Sequence, residues 1–249
     1  MKCTEDEPVL KFTFNFYCNN DDVYRSKHLS FISRVIKLET KGWLIDILKE
    51  EGLATSIGAE TESSFVEIAT LLVIDIVLTE KGVKQLKDVC EIVFSFLSQL
   101  RSMTEEGELN FFIDEIEKMS QLQYQFREKL EGTDYVCDLS YYSLFLDEQE
   151  KLLKEASGID VFESINREKI VETLSSMTWP LCLVILMNSR LMVKGDVETE
   201  PWYESSFKRS PKPELKLRKL DIQILKANPY LPESVDLIPA EVTSEKLYP

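Results

Sequence analysis

The sequence predicts an α+β fold, and three observations carry the prediction. Residues 9–17 alternate, with Leu10, Phe12, Phe14 and Phe16 on one side and Lys11, Thr13 and Asn15 on the other, the period-two pattern of a half-buried strand. Residues 53–59 and 65–78 are rich in Val, Ile and Thr and flank a polar run, Glu60 to Ser64, as a hairpin would. Leu86, Val89, Cys90, Val93, Phe94 and Leu97 then fall on one helical stripe. The resulting order is strand, helices, two strands, helices, strand.

Each element follows from local chemistry. Between residues 23 and 51, Leu29, Ile32 and Ile36, then Leu44, Ile47 and Leu48, recur at helical spacing and break near Lys41-Gly42, which predicts two helices. The second hairpin strand reads as central, because Leu71 to Ile74 offers no polar side. Thr79 is placed to cap a helix whose first turn holds Glu80. Thr104, with Glu105 and Glu106, reads as a second cap, ahead of a stripe of Leu109, Phe112, Ile113, Ile116 and Met119 running to about Glu128; the two helices should pair antiparallel. One or two short helices are expected within 135–156, and another after Asn166. The run 181–187 is short, continuous and apolar, and predicts a buried strand. Seven of the nine prolines lie in 201–249, predicting an extended arm with a helix at 214–225. The division expected is an acidic tail at 1–7, one domain at 8–192 and the arm at 193–249.

Composition excludes several functions. With 29 basic against 44 acidic side chains the net charge is −15, and the excess lies in 1–199, so a nucleic-acid partner is excluded for want of clustered cations. No signal sequence and no membrane span are evident. Five cysteines without a C-x-x-C pair suit reduced thiols, and an intracellular, cytoplasmic setting is expected. Cys90 and Cys182 read as small buried hydrophobes. The single histidine, His28, cannot make H-x-x-E-H or any two-imidazole zinc site, and reads as an exposed residue at a helix start. The eight glycines are too scattered for a phosphate-binding loop. Asp114, Glu115 and Glu117 read as solvated helix charge, and the basic stretch Lys208, Arg209, Lys212, Lys216, Arg218 and Lys219 as a solvated arm or a partner for the protein's own acidic surface.

A resemblance runs through Leu78-Thr79-Glu80-Lys81-Gly82, Val93-Phe94-Ser95-Phe96-Leu97, Leu100-Arg101, Phe111-Phe112-Ile113-Asp114-Glu115, Phe126-Arg127-Glu128-Lys129, Trp202-Tyr203, Phe207-Lys208, Asn228-Pro229-Tyr230-Leu231-Pro232 and Leu237-Ile238. Over about 9–238 the chain resembles the second, non-catalytic domain of the pitrilysin and insulysin zinc metallopeptidases. The resemblance implies a mostly antiparallel sheet with helices packed on one face, as in the mitochondrial processing peptidase fold. It also implies a wall of a closed proteolytic chamber, inactive alone, with zinc and H-x-x-E-H carried by a partner domain in cis or in trans.

In insulysin-like members this domain adds an edge strand to the substrate's N-terminal end. The matching strand is Thr55, Ser56, Ile57 and Gly58, the substrate-binding residues the resemblance implies. Two departures stand out. The family's "HEGxGSL" turn corresponds to Leu38-Glu39-Thr40-Lys41-Gly42-Trp43-Leu44, where Thr, Lys and Trp in place of small residues are expected to hinder a ligand. A polyanion site would fall at Leu130-Glu131-Gly132-Thr133, which is acidic or neutral and is not carried over. No catalytic residue and no metal ligand is expected in this chain. The alternative is a free-standing peptide- or protein-binding module derived from such a peptidase.

Overall fold

The computed structural model describes residues 7–17, 26–63, 69–144, 146–157, 162, 165–189, 197–223 and 226–232. Four strands, β1 (Val9–Phe16), β2 (Ala54–Ser63), β3 (Thr70–Leu78) and β4 (Leu183–Met187), form one sheet in the order β2-β3-β1-β4, every neighbouring pair antiparallel. The expected central strand is β3, held by β2 on one side and β1 on the other. Its Leu72, Ile74, Ile76 and Leu78 join Leu10, Phe12 and Phe14 of β1 in the core. Lys11, Thr13, Asn15, Val73, Asp75 and Val77 occupy the opposite face, as the period of two requires.

Helices α1 (His28–Ile36), α2 (Leu44–Glu50), α3 (Glu80–Lys84), α4 (Leu86–Glu105), α5 (Asn110–Gln125), α6 (Gly132–Tyr142), α7 (Gln149–Glu155) and α8 (Arg167–Ser176) follow the predicted order. Those contributing to the core share it with the Leu10/Phe12/Phe14 face. The first two helices part at Gly42, whose φ of +73° suits a residue without a Cβ. Thr79 caps α3 as expected, its Oγ1 accepting the Gly82 N–H at 3.0 Å, but the helix then breaks at Gln85 before the long apolar stripe of α4 begins. Asn166 caps α8 through the Lys169 N–H at 3.1 Å.

Several expectations are corrected. Thr104 is no cap: it lies inside α4, donating to the Leu100 carbonyl at 2.8 Å, and the turn is made by Gly107 at φ +79°. The helix packed most closely along α4 is α8 rather than α5. The run at 181–187 is an edge strand, not a buried one. A short 3₁₀ turn at Trp179–Leu181 precedes it, Leu183 is 58% exposed, and only Cys182, just ahead of β4, is buried. An apolar run resembles a central strand in sequence, yet sheet order puts this one at the rim. His28 does start a helix, but it is buried, with Nδ1 2.5 Å from Ser26 Oγ.

The arm at 211–223 contains no helix. It runs extended beside α4, with the N–H groups of Lys216, Arg218 and Leu220 donating to Glu91 Oε1 (3.0 Å), Ser95 Oγ (3.0 Å) and Gln99 Oε1 (2.6 Å). Two extended residues advance about 6.6 Å and four helical residues about 6 Å, so donors spaced by two meet acceptors spaced by four. Leu220 is buried, and the Gln99 side chain returns a bond to its carbonyl at 3.0 Å. At the strap's start, Lys212 Nζ is 4.9 Å from the Trp179 ring centroid and donates to the carbonyls of Trp179, Pro180 and Cys182, while the Trp179 indole donates to the Pro213 carbonyl at 2.9 Å. The basic stretch therefore does pair with the protein's own surface, Arg218 with Glu51 and Arg209 with Glu198.

Replacing Glu91 and Gln99 together by alanine should raise hydrogen exchange at residues 216 and 220 by about tenfold or more, since each lost bond is worth about 1 kcal/mol. Exchange in β3 should stay unchanged, and equal protection of the arm in both proteins would refute this docking.

Candidate functional site

The expected substrate strand lies in β2, at the rim of the sheet. Which of its residues present free backbone follows from register. The Leu78 N–H bonds to the Pro8 carbonyl, so even-numbered residues of β3 face β1, and Val73, Asp75 and Val77 face β2. Ser56, Gly58 and Glu60, opposite those three, therefore spend their peptide groups inside the sheet. Ile57, Ala59 and Thr61 turn theirs outward. Thr55 sits in the register shift between Ala54 and Ser56, exposed, with Oγ1 3.4 Å from the Val77 carbonyl.

Of the four expected residues, Ile57 is thus the one whose backbone faces outward from the regular ladder. Sequence reasoning missed Ala59 and Thr61, which share its parity; the hydrogen-bond phase that selects them is fixed by β1, not by β2. The edge is also shortened. Ser33 Oγ of α1 donates to the Ala59 carbonyl at 2.6 Å, and Ala59 is 1% exposed. Ile57 and Gly58 are half-buried as residues, and of the two only Ile57 turns its peptide group outward.

Gly58 takes no left-handed conformation, and a Cβ built on it would meet Asp75 Cβ at 3.9 Å, an ordinary contact. The sheet does not need glycine there. Beside it Asp75 Oδ2 lies 3.5 Å from Lys11 Nζ, while Asp75 Oδ1 is buried with no hydrogen-bond partner. Glu60 and Glu62 project on the same side of the strand and are exposed.

At the substituted turn, Trp43 is not the obstruction expected of it, whereas Thr40 and Lys41 are exposed. Trp43 points inward, fully buried against Phe96, with ring centroids 5.3 Å apart, and its indole donates to the Val35 carbonyl at 2.6 Å. The carboxylates at 114–117 serve the fold: Glu115 accepts the Asn228 N–H at 2.8 Å, Glu117 accepts the Ile165 N–H at 3.0 Å, and Asp114 lies 3.4 Å from Arg167.

The described residues offer no fitting zinc site. Among the described residues no three His, Cys, Asp or Glu side chains come together as a metal site, and the one histidine is buried beside Ser26. Nor are the buried thiols poised as nucleophiles. Burial, and for Cys90 the neighbouring Cys182, pushes both thiols from 9.0 to about 12. Native protein treated with iodoacetamide near pH 8 should therefore label Cys137, which is exposed, while Cys90 and Cys182 react only after unfolding. Since the unfolded thiols ionise near 9 and the folded ones near 12, their stabilising effect is complete below pH 9 and declines above it. The slope is about 1.4 kcal/mol per pH unit for each thiol, readable by urea titration between pH 9 and 11.

Comparison with known proteins bears on the fold. Residues 2–111 match the family model described as "Peptidase M16 inactive domain". A nardilysin-like protein of Arabidopsis thaliana is 22% identical over 187 residues, covering 74% of this chain and 18% of its own length. Protease 3 of Escherichia coli O6:H1 is 23% identical over 240 residues, covering 94% and 24%. A crystal structure of pitrilysin superposes with a TM-score of 0.67 over 81% of this chain and 20% of that one, at 21% identity, which shows the fold. In class, the chain is similar over residues 2–111 to an inactive-type peptidase domain. In particular, it is similar to the non-catalytic domains of pitrilysin-like peptidases, and it spans about a quarter or less of the length of these relatives. Among the described residues no helix is long and apolar enough to cross a membrane.

Proposed function

We propose that this chain is a wall domain of a pitrilysin-like zinc peptidase, inactive by itself. Zinc and its H-x-x-E-H motif would be supplied by a catalytic partner domain, in the same polypeptide or another. The outer edge of β2 would anchor an extended substrate by strand addition, and the observation that carries this reading is the outward-facing peptide group of Ile57 at the sheet's rim. The anchor is short, because Ser33 already holds the Ala59 carbonyl. Of the sequence-predicted residues Thr55 and Ser56 flank the anchor and Gly58 leaves room beside it. A reducing, cytoplasmic compartment suits the free thiols of Cys90, Cys137 and Cys182. The division at 8–192 and 193–249 is retained as the domain plan, with the strap at 211–223 bound back onto α4.

Two measurements test the proposal. The purified chain should leave unfolded peptides intact with or without added zinc; chelator-sensitive cleavage by the chain alone would overturn it. Ile57→Pro removes an outward N–H together with the packing of the Ile57 side chain on the core; it should abolish binding of an extended peptide, while Ile57→Ala, which loses that packing but keeps the N–H, should still bind, and Gly58→Pro removes a ladder bond and should destabilise the sheet. Undiminished peptide binding by Ile57→Pro would remove the anchor from the proposal and favour a binding module that works through another surface.

A further inference from the structure

We propose that the β2 edge selects peptides carrying an arginine opposite Gly58, whose guanidinium crosses the glycine to reach Asp75; this rests on the strand-addition reading above. A strand added outside β2 places the side chain opposite Gly58 on the same sheet face as Ser56, Gly58 and Glu60. From that strand to β3 is two strand spacings, about 10 Å, a gap that extended arginine and aspartate side chains together bridge. Gly58 leaves the path between them open, and it does so without any backbone requirement for glycine.

The carboxylate at the end of the path lacks full partners. Asp75 has one oxygen 3.5 Å from Lys11 Nζ, beyond the usual range of a charge-assisted hydrogen bond, and the other is buried with no partner. A buried acceptor left unmade is costly, and a guanidinium offers several donors in a planar fork. Charge favours the same occupant. On this face Lys11 stands against Asp75, Glu60 and Glu62, a local balance of −2, within a chain of net charge −15. Cross-strand pairing of opposite charges would add to the selection along Glu60.

The test uses two fluorescein-labelled octapeptides of alternating Val and Thr, one with a single central Arg and its twin with neutral citrulline, read by fluorescence anisotropy on the full chain. The Arg peptide should bind at least fivefold more tightly than its twin. Asp75→Asn should erase that difference while leaving citrulline-peptide affinity unchanged, and Lys11→Met, which removes the competing cation, should widen it. If both peptides bind equally, or if the preference survives in Asp75→Asn, the arginine subsite is wrong while strand addition stands. If neither peptide binds, strand addition fails and the subsite falls with it.

Discussion

Trp43→Ala should destabilise the domain by about 3–5 kcal/mol, enough to remove much of the margin of an ordinary domain. Three losses combine. The indole is wholly buried, so truncation leaves a large cavity where α2 begins. Its edge-on contact with Phe96, 5.3 Å between centroids, ties that helix start to α4. Its N–H donates to the Val35 carbonyl at 2.6 Å, near the end of α1, so the carbonyl of a buried helix end loses a donor. Trp43→Phe should recover most of the volume but not that hydrogen bond, and should lie between wild type and alanine. Urea unfolding of the three proteins checks the order. Equal midpoints for Trp43→Phe and wild type would show that the carbonyl bond contributes nothing, and a midpoint for Trp43→Ala within about 1 kcal/mol of wild type would refute the account.

Trp43 also shows what the sequence could and could not disclose. Compared with a glycine-rich family turn, a tryptophan looked like an obstruction; its direction depends on α1 and α4, neither of which lies in that motif. The alternating Phe12 and Phe14, the cap at Thr79 and the stripe of α4 were legible because local period and capping chemistry decide them. The edge position of β4 was not, since the same apolar run suits a centre or a rim and only sheet order separates them. In the candidate site, the strand was legible and its parity was not: whether Ile57 or Gly58 faces outward depends on the hydrogen bond between Leu78 and Pro8, two strands away. The strap escaped notice for a related reason. Glu91, Ser95 and Gln99 read as polar interruptions of a helix until an extended segment more than a hundred residues later arrives at matching spacing.

Gly82→Ala should be nearly as damaging as the loss of Trp43, and through the opposite fault, too many atoms rather than too few. A Cβ on Gly82 would sit 2.0 Å from the Leu53 carbonyl oxygen, 3.1 Å from its carbon and 3.3 Å from Leu78 Cδ2. The first contact is with backbone and cannot be relieved by turning a side chain. That carbonyl also accepts the Thr79 N–H at 3.0 Å, and Thr79 Oγ1 holds both the Gly82 N–H at 3.0 Å and the Gly52 carbonyl at 2.7 Å. Moving α3 far enough to admit a methyl group would therefore strain the cap, the turn before β2 and the end of β3 together. Overpacking of this kind costs about 1–3 kcal/mol even where neighbours can shift, so a loss of about 3 kcal/mol is expected here. Gly58→Ala is the control: its Cβ meets nothing closer than 3.9 Å, and the change should leave stability within about 0.5 kcal/mol of wild type or raise it by reducing the freedom of the unfolded chain. Thermal unfolding of the two alanine variants side by side decides the matter. Similar melting temperatures would mean that α3 moves freely against the turn at Leu53, contrary to the cap geometry that joins them.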